Sequence, residues 1–433
     1  MALPHNPPTA YINARLLDPA SGLDTRGALL VVEGQIADLG PHLFGQGVPS
    51  GMAVVDCGGH CLAPGLIDLR VNLREPGEEH KETIKTASEA AAAGGVTTMV
   101  ALPNSDPAVD DVAGLEFVAR RARDVKLVKI YSYGTITRQF EGQELTEFGL
   151  LGEFGAVGFT DGIVPIASAQ VMRRALLYSK AFDQVIVQAP QEPSLSTGVM
   201  NSGELSTRLG LAGISPFAEV IMLERDLRLA EMTGGRYHAA LLSTAESVRV
   251  VRQAKQRGLK VTCDTAPHYF TLNEFAVGDY RSFAKVMPPL RSETDRQAIV
   301  DGIADGTIDA IVSDHSPHDQ DSKRRPFAQA EFGIVGLESL LPLSLALTHR
   351  GEAGLLDVIA KLTSAPAKVL GLPGGRLRMG APADLVLFDP DFPWKLDPDS
   401  FLSKSKNSPF DDHLVQGQVR RTIVDGRTIF ERS

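Results

Sequence analysis

Between residues 63 and 372 the chain alternates short apolar runs with segments of helical spacing. Val96-Thr97-Thr98-Met99-Val100-Ala101 and Gln184-Val185-Ile186-Val187 are apolar runs of strand length. Asp226-Leu227-Arg228-Leu229-Ala230-Glu231 and Ala245–Gln256 carry apolar residues at helical intervals. Such alternation over roughly 300 residues predicts a parallel α/β barrel of the TIM type, (β/α)8. Residues 1–62 and 373–433 have a different texture. Residues 28–37 read as a strand, a Glu33-Gly34 turn and a second strand, and Ala383-Asp384-Leu385-Val386-Leu387-Phe388 and residues 422–430 read as further strands. The two β-rich ends are expected to pair as one small β-sandwich domain flanking the barrel. The stretch 397–412 is polar and is expected to be a loop.

Length and composition narrow the classes. A chain of 433 residues can bury a large core. A net charge of −10 gives the chain no strongly basic character to invite nucleic acid. No apolar run of about 20 residues is present, so no membrane span is expected. The first eight residues lack a basic start and an apolar signal core. Cys57, Cys61 and Cys263 are too few for a disulfide framework. The spacing of Cys57 and Cys61 could suit a metal, but no second Cys or His pair follows, and ordinary thiols are the better reading. A reducing cytoplasm fits these features best. No Gly-x-Ser-x-Gly elbow appears, and Pro373-Gly374-Gly375 lacks the Gly-Lys-Ser/Thr ending of a phosphate loop.

The informative motifs come in a fixed order. Pro64-Gly65-Leu66-Ile67-Asp68 precedes Arg70-Val71-Asn72 and Leu73-Arg74-Glu75-Pro76-Gly77. His80-Lys81-Glu82-Thr83, Ala92-Ala93-Gly94-Gly95-Val96-Thr97-Thr98, Leu102-Pro103-Asn104-Ser105 and Gly158-Phe159-Thr160-Asp161-Gly162 follow. Then come Thr262-Cys263-Asp264, Pro267-His268, Pro288-Pro289-Leu290-Arg291, Ser313-Asp314-His315-Ser316-Pro317-His318, Gly333-Ile334-Val335-Gly336-Leu337-Glu338 and Gly380-Ala381-Pro382-Ala383-Asp384-Leu385-Val386. In this order they resemble dihydroorotase, of the amidohydrolase superfamily, over nearly the whole chain. The resemblance implies a barrel with a small β domain built from both termini. It also implies interconversion of carbamoyl aspartate and dihydroorotate, by a zinc-activated water and an Asp on the last strand.

The resemblance also shows what is missing. The family's first strand carries His-x-His, and residues i and i+2 of a strand share a face, so two imidazoles there grip one metal. Arg70 and Asn72 stand at those positions, and a guanidinium has no lone pair to give. Gly162 takes the place of the second Asp of the Asp-Asp-Gly segment, leaving Asp161. Gln188 and Leu241 take two further ligand histidines. Asp314 alone clearly survives. Catalytic zinc usually takes three protein ligands, so no metal and no cofactor is expected. Arg70 either replaces the metal's charge and neutralises Asp314, with or without Asp161, or turns to solvent.

Arg74 and Asn104 match positions that bind the substrate carboxylate in the family, and His318 matches a substrate-side histidine. Arg74 could equally pair with Glu75 or Glu78. The Asn before Pro-Pro-Leu-Arg is replaced by Met287. His315 and His318 are expected to be structural or hydrogen-bonded rather than metal-bound, and His238 and His413 to be packed. The pattern of losses resembles that of dihydroorotase-like partners of aspartate transcarbamoylase. The expectation is therefore a non-catalytic subunit that associates with that enzyme's catalytic chain, with homo-oligomers also open. The competing readings are an active dihydroorotase or related cyclic amidase with an altered metal site, and a sensor binding a carbamoyl aspartate-like ligand through Arg74 and Asn104.

Overall fold

The computed structural model describes residues 7–432. Eight parallel strands follow one another around a barrel: Leu66–Val71, Val96–Ala101, Lys129–Gly134, Ala156–Phe159, Val185–Gln188, Arg236–Ala239, Val261–Thr265 and Ala310–Ile311. The first and last are joined by a parallel bridge between Val71 and His315, reinforced by Asn72 N–H donating to the His315 carbonyl at 2.9 Å. Every residue of the first two strands is buried, as expected for strands covered by side chains inside and helices outside. The sequence expectation of a (β/α)8 barrel holds.

Local chemistry places the helices on the barrel. Thr83 caps Ile84–Ala93 with a reciprocal capping box to Thr86. The helix then ends at Gly94, where a Cβ would lie 2.1 Å from the Leu337 carbonyl oxygen. Only glycine allows that approach between the helix end and the segment after the eighth strand.

Strands from both ends of the chain share one separate eight-stranded sheet. Thr9–Asp18 pairs antiparallel with Leu23–Val32, and Cys61–Pro64 pairs antiparallel with Leu385–Phe388 of the strand Leu385–Lys395. Leu414–Val424 and Arg427–Glu431 complete the C-terminal edge. The sheet has its own apolar core of Tyr11, Leu16, Leu29, Ile36, Leu385 and Ile423. Val386 and Val419 instead belong to the barrel's core, so the sheet is fastened to the barrel by burial. Among the described residues, no helix is long and apolar enough to cross a membrane.

Candidate active site

The carboxyl ends of barrel strands are where side chains from distant parts of a chain converge. On the first strand Asp68, Arg70 and Asn72 share one face. Asp68 is fully buried and accepts from the backbone N–H of Arg70 at 3.2 Å and of Ser313 at 3.1 Å, tying the first strand to the end of the eighth. Arg70 therefore leaves the strand pointing across the mouth. Its Nε donates to Asp314 Oδ1 at 3.0 Å, and both side chains are less than one-tenth exposed. This settles the choice left open by the sequence: Arg70 neutralises Asp314 and does not turn to solvent. Asp161 is not part of the pair. It accepts from the N–H groups of Ile136 and Thr137 and from the Thr137 hydroxyl, at 2.7, 3.0 and 2.5 Å.

Asp314 holds a left-handed backbone at φ 50°, a conformation that side-chain-bearing residues rarely adopt and that concentrates at functional sites. Burial pushes its carboxyl up to about 6, against the opposing pull of Arg70. His268 Nε2 lies 3.8 Å from Asp314 Oδ2, too far for a hydrogen bond. Burial pushes this imidazole down to about 3, so it is neutral and the contact is not an ion pair. Among the described residues neither Arg70 Nη1 nor His268 Nε2 has a hydrogen-bond partner. Arg70, which holds Asp314, and His268, which faces it, thus each keep one buried polar atom without a partner among the described residues. His268 was visible in the sequence as Pro267-His268 after a strand, but its place against Asp314 was not. The signal for it was its position just past the end of Val261–Thr265.

The predicted substrate contacts divide into two groups. Arg74, also left-handed at φ 59°, donates to Glu78 Oε2 at 2.7 Å, to the Pro317 carbonyl at 3.1 Å and to Ser316 Oγ at 3.2 Å. Its Nη2 stands 3.1 Å from His318 Nε2, which is also 2.9 Å from the Phe332 carbonyl. Burial and the nearby Arg74, Lys81 and Lys323 charges push His318 down to about 3. Arg74 and His318 are therefore together at the mouth, with Arg74 anchored by Glu78. Asn104 lies apart from them, donating to the Asp161 carbonyl at 3.1 Å and accepting from Ile163 N–H at 3.3 Å.

These residues do not fit a zinc ion. Among the described residues no three His, Cys, Asp or Glu side chains converge as a ligand set. Gln188 is committed elsewhere, accepting from Ile166 N–H at 2.7 Å and donating to Asp226 at 2.5 Å. Leu241 is fully buried, left-handed at φ 56°, and gives its N–H to Asp264. A Cβ on Gly162 would fall 1.6 Å from Asn104 Oδ1. His315 accepts from Gly336 N–H and faces Glu82 at 3.4 Å, a hydrogen-bonded role. His238 is held between Thr262 and Asp264. All three cysteines are buried free thiols.

Comparison with known proteins revises the expected inactivity. The family described as Dihydro-orotase-like matches residues 59–247, and the Amidohydrolase family matches residues 345–430. A protein of Anaplasma phagocytophilum named dihydroorotase is 47% identical over 97% of this chain and 95% of its own length. A dihydroorotase of Syntrophotalea carbinolica is 44% identical over 97% of this chain and 98% of its own. The L-hydantoinase (dihydropyrimidinase) of Arthrobacter aurescens superposes with a TM-score of 0.87 at 25% identity, covering 98% of this chain and 96% of that one. Full-length relatives named as enzymes overturn the expectation of a non-catalytic scaffold. That expectation equated lost metal ligands with lost chemistry. The ligand count left out that a cation and a carboxylate, Arg70 and Asp314, still meet at the mouth. The chain belongs to the dihydroorotase family of the amidohydrolase superfamily.

Proposed function

We propose that this chain interconverts dihydroorotate and carbamoyl aspartate, and that it does so without zinc. One observation carries the reading: the buried Arg70–Asp314 pair at the barrel mouth, with Arg70 Nη1 left unpartnered among the described residues. In the hydrolytic direction a water oxygen bonds to the ring amide carbonyl carbon. Asp314, ionised above about pH 6, takes a proton from that water. Negative charge grows on the carbonyl oxygen, where the Arg70 Nη1–H donates to it. The amide C–N bond then breaks, and Asp314 passes its proton to the leaving nitrogen. The new carboxylic acid loses its own proton to solvent. Arg74, held by Glu78 beside His318, supplies a positive charge for the substrate carboxylate. Arg70 and Asp314 are nearly fully buried, so substrate reaches them only when the mouth opens.

The test is turnover in both directions on purified protein dialysed against a chelator, with metal content measured on the same sample. Retained turnover with far less than one zinc per chain is expected, together with loss of activity in Asp314→Asn and Arg70→Met. Activity lost on chelation and restored by zinc would overturn the metal-free mechanism. Absence of turnover in either direction, with or without zinc, would overturn the enzymatic reading.

A further inference from the structure

The opposite end of the barrel carries a second concave feature. A cavity of about 520 Å³ opens between the amino ends of the fifth to eighth barrel strands and the helices Leu355–Leu362 and Ser364–Leu370. That volume lies within the range of small-molecule sites, about 300–1,000 Å³. Its charge is one-sided. Arg236, Lys260, Lys361 and Lys368 line it, against the carboxylates of Asp183 and Asp309. Asp309 is already engaged, accepting from Lys255 Nζ at 2.6 Å and from Cys263 N–H at 2.8 Å. Asp183 is largely exposed and stays 3.6 Å from Arg236. Arg236 donates to the carbonyls of Asp183 and Val369, and Lys361 to that of Ile308, so these two cations are held in place mainly by neutral oxygens. Burial pushes Lys361 below its ordinary range, against the opposing pull of Asp309. In a chain of net charge −10 this is a local excess of positive charge, four cations against two carboxylates. Val185, Leu259 and Val369 form an apolar wall beside it.

We propose that this cavity binds an organic phosphate monoester, its phosphate held by Lys260, Lys361, Lys368 and Arg236 and its organic body against the apolar wall. Phosphate matches this donor set because charge-assisted hydrogen bonds from Lys and Arg are the strong ones. The site is remote from the mouth and does not depend on the reaction proposed there.

Calorimetry on the full chain tests it, with adenosine 5′-monophosphate, glucose 6-phosphate and inorganic phosphate as probes. Binding of either ester, tighter than inorganic phosphate, is expected; adenosine 5′-monophosphate alone points to a nucleotide, and glucose 6-phosphate alone to a sugar phosphate. The double variant Lys260→Glu/Lys368→Glu changes two exposed side chains and should weaken that binding at least about tenfold. No heat from either ester at millimolar concentration, an inorganic phosphate signal equal to both, or undiminished binding in the double variant would overturn the proposal.

Discussion

Arg70→Met isolates the central interaction of the barrel mouth. Methionine keeps much of the apolar stem and removes the guanidinium. Two unit charges 3.0 Å apart attract by roughly 5–6 kcal/mol at an effective dielectric of ~20. Part of that is spent desolvating both groups, and breaking a buried pair by removing one partner typically costs about 3–5 kcal/mol. The pH dependence follows from the direction of the Asp314 shift. Its carboxyl sits at about 6 in the folded chain, above the ordinary value of 3.8. The folded state therefore holds a proton that the unfolded state releases, and stability falls as pH rises from the lower value through the upper one. Without Arg70 the upper value moves higher still, because the cation that favoured ionisation is gone. The variant should lose roughly 3–5 kcal/mol at pH 8 and distinctly less at pH 5, where Asp314 protonates instead of standing as a lone buried charge. Urea unfolding followed by far-ultraviolet circular dichroism measures this. Arg70→Met/Asp314→Asn should recover at least half of the pH 8 loss, since the orphaned charge is gone. A single-variant loss under about 1 kcal/mol at pH 8 would refute the view that the pair is buried and coupled.

Two further expectations concern other buried groups. Gly162→Asp, which restores an acid at the family's position, places a side chain on a backbone at φ 65° and drives its Cβ into Asn104 Oδ1. It should cost roughly 2–4 kcal/mol through backbone strain and the displaced amide, read as a lowered thermal midpoint. Glu338 accepts from the N–H groups of Leu402 and Ser403 while burial pushes it up to about 7, so its contribution to stability is greatest below its ordinary 4.5 and is lost as pH rises to 7. Glu338→Gln keeps an accepting oxygen and removes the titration, so it should gain about 1–3 kcal/mol on the parent between pH 5 and pH 8, measured by unfolding at both.

The sequence carried the barrel and the pairing of the two termini, because strand–helix alternation is a local signal repeated many times. It also carried which ligand positions had changed, because each sits at a strand end marked by a neighbouring motif. What replaced them was not legible. The partner of Arg70 lies 244 residues away, and only the closure of the first strand against the eighth brings the two together. Asn104 filling the space above Gly162 likewise depends on two loops 58 residues apart in the chain. Function was misjudged for a related reason: counting ligands says whether zinc can bind, and says nothing of a guanidinium arriving at the same carboxylate.

The altered positions are interlocked, which bears on how the site could be reversed. Arg70→His/Asn72→His would rebuild the imidazole pair on the first strand, and both residues face inward with Asp68. Two imidazoles and Asp314 reach the three ligands a catalytic zinc usually takes only if all three bind at once, and no other of the family's ligand positions is free to stand in for one of them. The remaining positions cannot help. Leu241 has no donor atom, the Gln188 amide is held by Ile166 and Asp226, and both oxygens of Asp161 are occupied by Ile136 and Thr137. Moving any of them breaks a satisfied buried hydrogen bond at about 1–3 kcal/mol each. The double variant should therefore take up well under one zinc per chain by elemental analysis after zinc incubation and desalting. Stoichiometric zinc in that variant would mean that the first strand and Asp314 suffice, and that Arg70 alone keeps the metal out.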